Sequence, residues 1–357
     1  MIVDNPLVDV DNDGTINCKV CARRCRIPKS GIGFCGIRKN IGGKLDLIVY
    51  GRPSALAIDP VEKKPQFHFL PGTTAYSLGT YGCTFMCKFC CNWQLAQAIR
   101  EHLPLDYWID LPPEKAVEDA KLNNCASMAY TYNEPVIWYE YHRDIGRIAI
   151  REGIFNILVT DGYGTPEFWE KALEYIHATS IDLKGFTEKL YNELTGARLA
   201  PVLDSIKTAK KLSRKYGLWV EITSLVIPGW NDSEDEIRQE AEWLEEIDPE
   251  MPLHLIGFFP SYKMMSTPSA TAEKLLSLRK IALDVGLKYV YVGNVLTEEG
   301  ENTYCPNCGE VLVRRAWFAS TITDAFDMEK SRCRNCGQRI AGVWTVEQAK
   351  RLKNKSE

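Results

Sequence analysis

Thirteen cysteines in 357 residues, nearly all of them grouped, constrain this chain more than any other feature. Four fall within 18–35, four within 83–91 and four within 305–336, and only Cys125 stands alone. No apolar run approaches the ~20 residues that cross a bilayer, and the N-terminus carries no basic-then-apolar leader. The expected compartment is therefore cytoplasmic, where thiols stay reduced and clustered cysteines read as metal ligands rather than disulfides. Hydrophobic residues at 45% and charged residues at 25% describe an ordinary globular chain. A formal net charge of −4 argues against a strongly basic nucleic-acid binder, so neither nucleic acid nor membrane is expected as a partner.

The first ~70 residues are rich in Gly, Pro and Cys and show little periodicity, which predicts an irregular Cys-rich segment. Beyond it, short apolar runs at 75–79, 127–131, 154–160, 180–183, 218–227, 252–258 and 289–292 read as strands. Between them, 113–122, 136–151, 166–177, 202–216, 232–246 and 272–285 show helical spacing of apolar residues, several opening on Pro, Thr or Asp. Such alternation predicts an α/β fold with parallel strands, either a β/α barrel or an open doubly wound sheet. After Gly300 the helical pattern stops and a compact Cys-punctuated β segment is expected. The predicted division is 1–72, 73–298 and 299–357.

Directly after the first expected strand of the alternating region comes Cys83-Thr-Phe-Met-Cys87-Lys-Phe-Cys90. Three closely spaced thiolates can hold three corners of an iron–sulfur cubane, leaving the fourth iron free for a small ligand. Structural zinc would want a fourth protein ligand, and Cys91 is too close in sequence to share the same loop geometry. Cys91 and Cys125 are read as plain buried thiols.

Two further sets flank the triad. Cys305-Pro-Asn-Cys308-Gly and Cys333-Arg-Asn-Cys336-Gly are paired knuckles, each followed by a Gly that permits the tight turn. Together they predict a tetrahedral four-sulfur site for structural zinc, or for iron of the rubredoxin type. Cys18, Cys21, Cys25 and Cys35, with Gly31, Gly33 and Gly36 in the loop, predict another metal site, with zinc and an auxiliary cluster both open.

The spacing of Cys83, Cys87 and Cys90, with aromatic Phe89 before the third cysteine and β/α alternation after it, resembles the radical S-adenosylmethionine (SAM) superfamily. That resemblance implies a partial (β/α)6 TIM-like barrel, a 4Fe–4S cluster at the C-terminal ends of its strands, and SAM bound to the open iron. It further implies reductive cleavage of SAM to methionine and a 5′-deoxyadenosyl radical that abstracts hydrogen from a substrate. Residue by residue, Asn133 and Glu134 of Tyr130-Thr-Tyr-Asn-Glu134-Pro135 fall where members contact the cofactor's ammonium. Thr160 and Asp161 after the third strand, and Asp182 and Lys184 after the fourth, fall where glycyl-radical-enzyme activases line the cofactor carboxylate and a nearby cation. The activases' usual Asp-Thr-Asn-Gly reads Val159-Thr-Asp-Gly here. Glu221, with Ile227-Pro-Gly229 beyond it, falls near the adenine and ribose edge.

More of the chain resembles the AmmeMemoRadiSam-system radical enzymes, homologues of pyruvate formate-lyase activating enzyme. The resemblance rests on Gly33-Phe-Cys-Gly-Ile-Arg, on Lys64-Pro-Gln-Phe-His-Phe-Leu-Pro-Gly72, on Tyr-Asn-Glu-Pro and on Asn302-Thr-Tyr-Cys-Pro-Asn-Cys308. It implies Memo-type and AMMECR-type proteins as partners, alongside a reductant such as ferredoxin or flavodoxin. The expected function is a radical SAM oxidoreductase acting on a protein or small molecule. The alternatives are an activase for a glycyl-radical partner and a non-catalytic iron–sulfur electron-transfer protein. His68, His254, Tyr262 and Lys263 lie near expected strand ends but carry no assigned role.

Overall fold

A computed structural model describes residues 1–353 of the chain. Its centre is an eight-stranded open sheet with strands taken strictly in chain order. These are β1 (Ala55–Pro60), β2 (Thr74–Gly79), β3 (Ser127–Tyr130), β4 (Phe155–Thr160), β5 (Ala178–Asp182), β6 (Trp219–Val226), β7 (Leu253–Gly257) and β8 (Val290–Gly293). From β2 to β8 every pairing is parallel, as in Ala75 opposite Ser127 and Ile181 opposite Ile222. β1 alone runs antiparallel, with Asp59 opposite Ala75. Strands covered on both faces need apolar side chains on both, and β3 and β8 are buried along their whole length.

Connections between the parallel strands carry α1 (Pro113–Leu122), α2 (Tyr139–Arg151), α3 (Pro166–Ala172), α4 (Leu199–Tyr216), α5 (Glu234–Ile247) and α6 (Ala272–Val285). Side-chain caps start three of them: Thr165, Ser233 and Thr271 accept hydrogen bonds from the amides of Phe168, Glu236 and Lys274. Gly217 ends α4 with φ at 62°, where a Cβ would come 1.8 Å from the Leu352 carbonyl oxygen. That close approach seats α7 (Val346–Lys353) against the end of α4.

The α/β expectation holds, with two adjustments. The parallel array has seven strands rather than the six of a (β/α)6 barrel, and β1 adds an eighth from the segment expected to be irregular. β1 hides from pattern reading because its burial does not alternate and only Asp59 within it is buried. The 166–177 helix is shorter than its apolar spacing suggests, since α3 stops at Ala172 and the chain turns through Tyr175 toward β5.

Beyond the sheet, Thr303–Tyr304, Val311–Ala316 and Ala319–Ile322 form a three-stranded antiparallel ribbon, and Phe326–Asp327 pairs with Arg332–Cys333. The helical pattern does not stop at Gly300 as expected, because α7 follows the ribbon. A second apolar core joins Phe67, Tyr289 and Tyr291 to Leu312, Phe326 and Trp344, packing the ribbon onto β8. No helix among the described residues is long and apolar enough to cross a membrane.

Candidate functional site

The C-terminal ends of parallel strands point the same way, and the loops leaving them surround a cavity of about 520 Å³. Cys83, Cys87 and Cys90 line it, as do Phe89, Asn133, Thr160, Asp161, Asp182 and Lys184. Nine residues expected near a cofactor therefore meet at one cavity, although they lie on four separate strand exits.

The cysteine loop is held from outside by other elements. Met86 and Lys88 donate their amides to the carbonyls of Thr195 and Leu194, at 2.8 Å each. Asn133 clamps the turn leading into the loop: its Oδ1 accepts from Thr80 N at 3.0 Å and its Nδ2 donates to the Gly82 carbonyl at 2.8 Å. Gly82 has φ at 89°, and a Cβ there would sit 2.5 Å from the Cys35 carbonyl oxygen. Only glycine allows the N-terminal cysteine loop to pack this closely on the triad loop. The Phe85 amide points at Cys83 Sγ from 3.4 Å, an N–H···S contact of the kind that favours a sulfur carrying negative charge.

Charged groups ring the thiols. Lys184 Nζ pairs with Asp161 Oδ1 at 3.1 Å and with Asp182, and Cys83 Sγ lies 3.4 Å from Asp161 Oδ2. Burial pushes the Lys184 amine down, but the Asp182 and Asp161 carboxylates outweigh it and hold the ammonium charged. Burial drives the Cys83 and Cys87 thiols well up, and raises Cys90 to about 12. Thiols in this setting ionise when a metal takes the place of the proton.

Glu134 and Glu221 stand apart from the other expected contacts. Glu134 is buried, and its carboxylate accepts from Thr160 Oγ1 at 2.7 Å, Asp161 N at 2.8 Å and Val136 N at 3.0 Å. Burial and the Asp161 charge push its acid up to about 8, opposed by those three donors. It joins the exit of β3 to that of β4 and so places Asp161. Glu221 lies one layer beneath the cavity, accepting from Phe67 N, His68 N, Trp219 Nε1 and His254 Nε2 at 3.1, 2.9, 2.9 and 2.7 Å. Neither carboxylate lines the cavity.

Further residues line the cavity beyond those expected at a cofactor. Cys91, read as a plain buried thiol, is exposed and lines the wall, whereas Cys125 is buried. His254 reaches the cavity from β7, while His68 points away, its Nδ1 2.5 Å from the Ala341 carbonyl oxygen. Tyr262 and Lys263 instead bond Glu101. Trp317 and Phe318, at the tip of the ribbon hairpin, complete one side of the mouth. The signal for these two was a turn built of large aromatics, unusual for a hairpin exposed to water.

The donor sets differ in shape. Cys305, Cys308, Cys333 and Cys336 bring all four sulfurs within 4.8 Å of one another, with Cys305 and Cys336 at 3.5 Å and Cys308 and Cys333 at 3.7 Å. A tetrahedral ion with bonds of about 2.3 Å sets its sulfurs about 3.8 Å apart, so this set fits one metal ion. Among the described residues no other group of three potential ligands closes so tightly. The central triad converges on the cavity without closing on itself, a three-thiolate donor set that would suit a 4Fe–4S group.

The profile of the Radical SAM superfamily matches residues 77–241. An uncharacterized protein of Methanocaldococcus jannaschii is 42% identical over 330 residues, spanning 92% of this chain and 96% of that one. The isethionate sulfite-lyase activating enzyme of Oleidesulfovibrio alaskensis is 31% identical over 114 residues, spanning 31% of this chain and 36% of the enzyme. Among solved structures, a domain of a pyruvate-formate lyase-activating enzyme from Bacteroides vulgatus aligns with a TM-score of 0.41 at 22% identity, covering 47% of this chain and 99% of the domain. The three-cysteine loop at the head of a parallel sheet and the profile spanning it lead to one conclusion: residues 77–241 of the chain form a domain of the radical SAM superfamily.

Proposed function

We propose that this chain is a radical enzyme acting on a protein or small-molecule substrate at the cavity above its parallel strands. Cys83, Cys87 and Cys90 would hold the 4Fe–4S cluster, which with bound SAM supplies a 5′-deoxyadenosyl radical and methionine by one-electron reductive cleavage. The observation that carries this reading is the convergence of the triad with Asp161, Asp182 and Lys184 on one cavity.

The chain's own residues then divide the work of binding. Asp161 and Asp182 present carboxylates to an ammonium, and Lys184 presents a cation to a carboxylate, the two charged ends of an amino-acid moiety. Glu134 acts on the cofactor through Asp161, whose amide it holds at 2.8 Å. Asn133 fixes the loop entry through the Gly82 carbonyl. Thr160 joins the same network through Glu134, and Phe89 adds apolar wall. Glu221 positions His254 from below. Phe258, Phe259, Trp317 and Phe318 make one flank of the cavity apolar, a setting that limits side reactions of a radical.

The similarity to activating enzymes supports a narrower form, in which the hydrogen atom comes from a partner protein. The N-terminal cysteine set and the 302–308 motif support placement among the AmmeMemoRadiSam-system enzymes, with Memo-type and AMMECR-type partners, a ferredoxin or flavodoxin donor and a cytoplasmic setting. We propose the division 1–72, 73–298 and 299–357 as the chain's organisation, an arrangement in which the first segment lends β1 to the central sheet.

The test is anaerobic reconstitution followed by dithionite and SAM. 5′-Deoxyadenosine from wild type, and none from Cys83→Ala, Cys87→Ala or Cys90→Ala, is the expected result. A fully loaded wild-type chain that makes no 5′-deoxyadenosine would overturn the reading in favour of electron transfer without catalysis.

A further inference from the structure

The four N-terminal cysteines surround a small void of their own. Cys18, Cys21, Cys25 and Cys35 all line it, together with Arg23 and Arg38. Three of the four thiols are buried and Cys25 is half-buried, so the set faces inward rather than lying spread on a surface. The Phe34 amide points at Cys25 Sγ from 3.5 Å, repeating the N–H···S contact seen at Cys83.

Size separates the ways such a set can be filled. A single zinc draws its four sulfurs to about 3.8 Å from one another, as the C-terminal set already is. The N-terminal sulfurs face a common space but include no three within 4.8 Å of each other. They share this open arrangement with the central triad and not with the tight C-terminal site. An iron–sulfur cubane spreads its four thiolates over four separate irons, so it needs the wider spacing.

Charge is provided for as well, and equally for either filling, since zinc and a cubane each carry about −2 with four thiolates. A cubane with four thiolates carries net negative charge, and burying it calls for cations nearby. Arg38, 2% exposed, lines the void and is held from behind by Glu140, its Nη2 2.6 Å from Oε1 and its Nη1 2.9 Å from Oε2. Its Nε has no partner among the described residues. Arg23 supplies a second guanidinium.

We infer that Cys18, Cys21, Cys25 and Cys35 hold a second iron–sulfur cluster of the four-iron type, with full cysteine ligation and Arg23 as the nearby cation, the charge of Arg38 being met by Glu140. It sits against the central loop. Arg23 Nη2 donates to the Thr84 carbonyl at 2.8 Å, and Arg100 Nη2 donates to both the Phe34 and Cys83 carbonyls, at 3.0 and 2.9 Å. Gly82 meets Cys35 directly. The inference does not depend on SAM cleavage, because it concerns a separate donor set.

The test is a metal count on the full chain with Cys83, Cys87 and Cys90 all replaced by Ala, reconstituted anaerobically with ferrous iron and sulfide. About four irons and four sulfides per chain should remain, with a broad visible absorption that dithionite bleaches. A chain with no iron and two zincs, with two irons, or with no metal at the N-terminal set overturns the assignment. Should the triple variant fail to fold, wild type gives the same reading: about eight irons and one zinc support it, and about four irons and two zincs overturn it. Cys25→Ser in an otherwise native chain should lose iron from the N-terminal set alone, lowering the total toward about four.

Discussion

Lys184 Nζ lies 3.1 Å from Asp161 Oδ1 while also pairing with Asp182, so one ammonium joins the exits of two neighbouring strands beneath the cysteine loop. Each side chain is largely withdrawn from water, at 13% exposure for Lys184 and 15% for Asp161. Removing the cation leaves two carboxylates facing each other without compensation. Lys184→Met should therefore cost about 2–3 kcal/mol, less than the 3–5 of a fully buried pair because Asp182 keeps some water contact. Lys184→Arg should cost less. Urea unfolding of the metal-loaded proteins reads the difference, and equal stability of Lys184→Met and wild type would falsify the role given to the triad of charges. SAM binding followed by calorimetry should weaken in the same variant.

Glu221 tests depth rather than charge. Its carboxylate takes four hydrogen bonds below the cavity, and the imidazole of His254 is one of the donors. Glu221→Gln keeps the shape but turns one acceptor oxygen into a donor, leaving buried partners unmatched at about 1–3 kcal/mol. Stability should fall while SAM affinity changes little. A large loss of affinity at unchanged stability would place Glu221 in direct contact with the cofactor instead.

That residue also shows what a sequence can and cannot reveal. The two-residue period of a strand puts Glu221, Thr223 and Leu225 on one face of β6, and Thr223 and Leu225 do line the cavity. The face is legible, but the depth along it is not. The Phe67–His68 backbone closes over Glu221 from 153 or more residues away, and nothing local announces that. The cysteine triad was legible for the opposite reason, since its ligands and the turn that presents them lie within eight residues. The seven parallel strands were legible because burial on both faces leaves near-continuous apolar runs. The aromatic hairpin tip at Trp317 and Phe318 reaches the cavity only through the packing of the ribbon on β8, which no single stretch encodes.

The C-terminal site should behave as a single-ion structural site. With sulfurs at 3.5 and 3.7 Å the four cysteines need little movement to close on zinc. Cys305→Ser should remove about one zinc per chain and make the ribbon the first region cut in limited proteolysis, without changing the iron count. Elemental analysis beside mass mapping of the cleavage sites checks both parts. Iron at this site, with a visible spectrum that Cys305→Ser abolishes, would make it an electron carrier instead.

Acid should weaken the fold through histidines that line neither the main cavity nor the N-terminal cysteine void. His142 and His177 are buried, and burial pushes each imidazole down to about 3. His142 Nδ1 bonds Tyr175 Oη at 3.1 Å, while its Nε2 has no partner among the described residues and faces a shell that includes Tyr130, Trp138 and Phe168. The unfolded chain binds protons at these groups near pH 6.5 and the folded chain does not, so unfolding takes up protons below that pH. Stability from the neutral rings is thus complete above about 6.5 and lost progressively as pH falls toward about 3, at ~1.4 kcal/mol per pH unit for each histidine. His142→Gln can keep the hydrogen bond to Tyr175 but cannot titrate. Its stability should fall less steeply between pH 6.5 and 5 than that of wild type, by up to that one-proton slope. Parallel slopes in urea titrations of the two proteins would mean that His142 is already protonated in the fold.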